Sequence, residues 1–102
     1  MKRSLLLLTA IILYSLNAFS QNLNVTLSDQ LSYGSTDLAN ICSWTDSQDG
    51  KEYALVGAAD NLSIVDVSDP TNIFEVTSIS GPDCLWREVK VNGNYAYVTT
   101  EC

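Results

Sequence analysis

The sequence predicts an all-β chain built from repeated sheet units, and three observations carry that expectation. Apolar, β-branched and aromatic residues fall in short runs separated by Asp-Gly, Asp-Asn, Asp-Pro and Asn-Gly dipeptides, which mark turns. A group of residues returns at a constant spacing: Cys42/Cys84, Trp44/Trp86, Tyr53/Tyr95, Ala54/Ala96 and Val56/Val98 each lie 42 residues apart. A hairpin-turn dipeptide separates the anchors in both copies, Asp49-Gly50 in one and Asn92-Gly93 in the other.

Residues 1–20 come first and set the compartment. Met1-Lys2-Arg3 is a short basic start, Leu5 to Leu13 is apolar except for Thr9, and Ala18-Phe19-Ser20 offers small side chains at both positions a signal peptidase reads. This predicts a secretory signal peptide over 1–20 with Gln21 as the mature N-terminus. The apolar run is shorter than the roughly 20 residues a spanning helix needs, and an uncleaved N-terminal anchor is the alternative.

The chain has 5 Lys+Arg against 12 Asp+Glu. Residues 1–20 hold Lys2 and Arg3 and no acid, so the remainder carries 3 against 12, a formal −9. Such acidity repels nucleic acid and anionic membrane surfaces. There are 0 histidines, which excludes Ser-His-Asp and Cys-His chemistry and any His-ligated metal within this chain.

Residues 21–34 are expected to supply an N-terminal strand and the start of a linker, because Asn22-Leu23-Asn24-Val25-Thr26 echoes the outer strand near Asn72–Thr77. A four-stranded unit then fills 40–80, with strands at Asn40–Asp46, Glu52–Ala58, Asn61–Val67 and Ile73–Ile79. Asp60-Asn61 is read as its second turn and Asp69-Pro70-Thr71-Asn72 as its third; proline presets φ there while Asp and Asn bond their own backbone. The second strand is apolar on both faces, which suits burial between layers. Residues 83–102 hold two further strands, Trp86–Val91 and Tyr95–Thr100. A period near 42 with this content is that of a β-propeller blade. The fold expected is a partial β-propeller: one full blade, the first hairpin of a second and an N-terminal strand. Closure takes about 4–8 blades, so the sequence reads as a fragment of a longer protein.

Leu62-Ser63-Ile64-Val65-Asp66, followed by Val67-Ser68-Asp69-Pro70, resembles the LVIVD repeat, with Ser63 where that pattern has valine. Around it GKEYALVG (50–57), Trp44, WREVK (86–90) and NYAYVT (94–99) resemble the N-terminal part of the choice-of-anchor B family. The resemblance implies a secreted bacterial surface protein with propeller-like blades and a C-terminal attachment signal that differs between members. It supplies no catalytic residue, and most of the blades and any C-terminal anchor are missing from this sequence.

Candidate chemistry begins with the cysteines. A turn centred on Gly93 sets Cys84 opposite Cys102 across the last hairpin, within disulfide reach in an oxidising compartment. Such a bond would contribute roughly 3 kcal/mol; two buried thiols are the alternative. Cys42 is expected as a buried small hydrophobe, since no base is at hand to activate it. Asp66, Asp69 and Asn72, or Asp46 and Asp49, offer oxygens to a cation, but neither set has EF-hand order and turn chemistry accounts for them. Neither a metal nor a cofactor is expected. Trp44 and Trp86 read either as blade packing or as faces toward a ligand, and Arg87 is the stronger candidate for a ligand-facing group because the repeat places Thr45 at its counterpart. Asn24-Val25-Thr26 and Asn61-Leu62-Ser63 are formal glycosylation sequons, incidental in a bacterial protein.

The function expected is a non-enzymatic scaffold or binding module, outside the cell or on its surface, for a protein or glycan ligand. It would meet a membrane only through the signal peptide or a C-terminal anchor. The alternative is part of a secreted hydrolase or lyase whose catalytic residues lie in further blades.

Overall fold

A computed structural model of the protein describes residues 24–102. The signal peptide expected at 1–20 lies outside them. Six strands follow one another: β1 (Leu38–Thr45), β2 (Glu52–Ala58), β3 (Asn61–Asp66), β4 (Phe74–Ser80), β5 (Trp86–Asn92) and β6 (Tyr95–Glu101). All neighbours are antiparallel; β1-β2-β3-β4 make one sheet and β5-β6 a second. The described residues are therefore all-β, one four-stranded blade followed by the first hairpin of the next.

Local chemistry sets each reversal. In the β1–β2 loop the Asp46 amide donates to the Lys51 carbonyl and the Gly50 amide to the Asp46 carbonyl, both at 2.8 Å, with Gly50 at φ +76°. The loop from β3 to β4 is built on Asp69, whose carboxylate accepts the Thr71 hydroxyl at 2.7 Å and amide at 2.9 Å. The β2–β3 connection is Ala59-Asp60, one residue earlier than expected, because Asn61 already pairs with Ser80 as the first residue of β3. The β5–β6 turn is Gly93-Asn94, not a three-residue turn about Gly93. Asn92 pairs with Tyr95, Gly93 takes φ +61°, and Asn94 stays at negative φ, the pattern of a type II′ turn.

That register divides the 42-residue repeat in two. Tyr53/Tyr95, Ala54/Ala96 and Val56/Val98 occupy matching places in β2 and β6. Their partners do not match: Tyr53 pairs with Trp44, whereas Tyr95 pairs with Asn92. The structural counterpart of Trp44 is thus Asn92, 48 residues on, because eight residues separate Trp44 from Tyr53 and only two separate Asn92 from Tyr95. The spacing shared by Trp44/Trp86 and Cys42/Cys84 is a coincidence of a longer loop in one copy and a longer strand lead-in in the other.

The core lies between the sheets. Leu55, Leu62 and Val89 form its centre, with Cys42, Trp44, Tyr53 and Val91 packed around them. Side chains from one face of β1–β3 and the inner face of β5 meet there, whereas β4 and β6 are exposed along their lengths. The β2–β3 turn receives both linkers: Ala59 N–H donates to the Asp37 carbonyl at 2.9 Å, and Gly81 and Cys84 amides donate to the Asp60 and Ala59 carbonyls at 2.8 Å.

Residues 24–33, expected as an outer strand, make no strand pairing here. Such a strand would need the open edge of another blade. The segment instead crosses the four-stranded sheet and is held by side chains, Asp29 to the Ile73 amide at 2.8 Å and Tyr33 to Ser63 at 2.9 Å.

Candidate binding cleft

Trp44 and Tyr53 face each other directly across β1 and β2, so their rings project from the same side of the sheet. The rings stack with centroids 5.5 Å apart and planes at 28°. Trp44 Nε1–H donates to the Gly93 carbonyl at 2.9 Å, which fixes the indole and ties the first blade to the turn of the second. Beneath the pair lie Leu55 and Ile64; Val91, Asn94, Tyr95 and Ala96 form the facing wall. The cleft between them has a volume of about 200 Å³ and opens at the turn end of the hairpin. Tyr95 is 73% exposed, so its ring is free to meet a ligand at the mouth.

The residues the sequence singled out do not converge here. Trp44 lines the cleft. Trp86 sits at the other end of β5, paired with Glu101, six residues from Asn92 and so roughly 20 Å along the strand, and it is 63% exposed. Arg87 faces inward, only 4% exposed. Its Nε–H donates to the Ala58 carbonyl at 2.8 Å, and Nη2 donates to the carbonyls of Ala59 at 3.1 Å and Pro82 at 2.6 Å. The cation is thus enclosed by backbone oxygens of the β2–β3 turn and the inter-blade linker, and it holds them together rather than facing an opening. Tyr53 and Tyr95 stood out in the sequence only as repeat anchors and Asn94 only as a neighbour of a turn glycine, and the sign that pointed to the two tyrosines was their recurrence just after a hairpin turn.

Cys84 and Cys102 lie at disulfide distance, with Cα atoms 5.5 Å apart. They are not directly opposed strand partners: in the observed register Trp86 faces Glu101, and Cys84 precedes β5. The bend at Leu85 and the Cys84 amide bond to Ala59 turn the thiol back toward the end of β6. Cys42 is a free, half-buried thiol against the core.

The aspartates are occupied by their own turns. Asp46 accepts the Gln48 amide at 2.8 Å and Asp49 the Lys51 amide at 3.0 Å. Hydrogen bonds from Ser68 hold the Asp66 carboxyl below its ordinary pKa, and those from the hydroxyl and amide of Thr71 do the same for Asp69. Among the described residues no three Asp, Glu or Cys side chains converge as a metal site would require.

A four-stranded antiparallel sheet whose face is covered by the next hairpin, with Tyr53, Ala54 and Val56 recurring as Tyr95, Ala96 and Val98, is consistent with neighbouring blades of a propeller-type repeat. The LVIVD repeat model matches residues 51–80 and 86–101, which are β2 to β4 and β5 to β6 with the turns between them. No curated protein matches the chain, and no solved structure does.

Proposed function

We propose that the protein is a secreted or cell-surface propeller module of the choice-of-anchor B type, a non-enzymatic binding scaffold. The observation that carries this reading is the aromatic cleft formed where one LVIVD hairpin meets the preceding blade. Stacked Trp44 and Tyr53, with exposed Tyr95 at the mouth, offer flat apolar faces beside the Asn94 amide. That combination suits the ring face of a sugar or an aromatic side chain of an extracellular protein, with one polar group to orient it. Acidity of −9 over residues 21–102 disfavours nucleic acid as the ligand.

Two experiments test it. Chain recovered from outside the cytoplasm should begin at Gln21, and its non-reducing peptide map should contain a linked Cys84–Cys102 peptide; an intact Met1 or two free thiols would count against secretion through an oxidising compartment. A glycan and peptide array should give ligands whose binding falls at least tenfold in Tyr95→Ala, a change that leaves the core untouched. Undiminished binding by that variant would remove the cleft as the site.

A further inference from the structure

Ser63 is where β3 departs from the LVIVD pattern, and it is completely buried. A buried hydroxyl on a sheet face needs partners. It has two: Tyr33 donates its phenolic hydrogen to Ser63 Oγ at 2.9 Å, and Ser63 Oγ donates to a Glu75 carboxylate oxygen at 2.5 Å. Tyr33 belongs to the segment that makes no strand. Four residues earlier Asp29 accepts the Ile73 amide, so the segment is pinned at the edge of the sheet and again at its middle. Leu31, between the pins, and Tyr33 form one wall of a groove of about 420 Å³ whose other lining includes Ile41, Ala54, Val56 and Val65. Ile41, Val56 and Ser63 are directly opposed across β1, β2 and β3, so they share this face, which is turned away from β5–β6.

We propose that residues 29–33 are a built-in latch over this second face of the four-stranded sheet, and that Ser63 is the receptor residue that selects Tyr33. The sheet then has two different covers, a hairpin on one face and the latch on the other. Valine at 63 would fill the strand position equally well but offers no acceptor, so the serine serves retention of the latch rather than packing. The latch claims the face on which an adjacent sheet would lie, and its release exposes that face.

The test is made on the full chain with Tyr33→Phe, Ser63→Val and the double variant, reading the rate of chymotryptic cleavage after Leu31 beside the urea midpoint of the sheet. Each single change should speed cleavage about fivefold, the factor one ordinary hydrogen bond contributes to local opening. The double variant should go no faster than either single one, because both remove the same bond. The midpoint of Ser63→Val should not fall. Unchanged cleavage in Tyr33→Phe, or effects that add in the double variant, would overturn the latch. Should Ser63→Val not fold, Asp29→Ala takes its place: removal of the second pin should accelerate the same cleavage, and no acceleration overturns the proposal equally.

Discussion

Arg87→Met is expected to destabilise the folded unit by about 3 kcal/mol. Methionine fills much of the volume, so the loss comes from three carbonyls that give up a charged donor, at about 1.5–3 kcal/mol for a hydrogen bond of this kind before relaxation. Relaxation is limited. The Ala59 carbonyl keeps the Cys84 amide, but the Pro82 carbonyl sits in the linker and has the guanidinium at 2.6 Å. The guanidinium also lies flat against Gly81, where an added Cβ would come within 2.6 Å of Nη1, so the linker backbone is shaped around it. For a unit of this size the change should lower the melting temperature by roughly 15 °C. Arg87→Lys should fall between the two, because an ammonium cannot span three oxygens arranged around a planar fork. A urea midpoint for Arg87→Met equal to that of the parent would show that the second hairpin is held on by its apolar face alone.

Much of this architecture is written in local residue order. Glu52–Ala58 is a strand in the sequence and in the structure with the same bounds, because its apolar run is closed by Asp-Gly on one side and Ala-Asp on the other. The Asp69-Pro70 turn is equally local. Register is less so: in Asn92-Gly93-Asn94 the glycine can be either central residue of a two-residue turn, which changes every partner in β5–β6 by two, and a turn centred on Gly93 differs from the observed register by one. The equal spacing of Trp44 and Trp86 misled for a similar reason, since a long β1–β2 loop offset a short β5–β6 turn without leaving any mark on the interval. Arg87 was legible as an exception to the repeat but not as a buried one. Its partners are backbone carbonyls, which every residue possesses and which have no signature in sequence. Ser63 was legible as a departure, yet its partner Tyr33 lies 30 residues away and meets it only because the chain crosses the sheet.

Gly57→Ala should be destabilising by about 2–3 kcal/mol, and the sign is what makes the experiment informative. In a strand with open space beside it, alanine is better than glycine by roughly 0.5–1 kcal/mol, because glycine loses more backbone freedom on folding. At Gly57 the space is taken. A Cβ would lie 2.8 Å from the Arg87 carbonyl oxygen, 3.3 Å from Val89 Cγ2 and 3.4 Å from Arg87 Cβ. The oxygen cannot move away by a rotamer change, since it belongs to β5 backbone paired with β6 and anchored through the Arg87 side chain. The strand must lift as a whole, which separates Val89 from Leu55 and Leu62 and opens the core where the two sheets meet. Trimming the partner in Gly57→Ala/Val89→Ala should recover only the side-chain part of the clash while adding a cavity, so the double variant should remain well below the parent. Lifting β5 also moves Gly93 off the Trp44 indole, so ligand binding at the cleft and the fluorescence of Trp44 should change together with the urea midpoint. A neutral or stabilising Gly57→Ala would mean that the hairpin does not approach β2 this closely in solution, and the cleft would then lose its second wall.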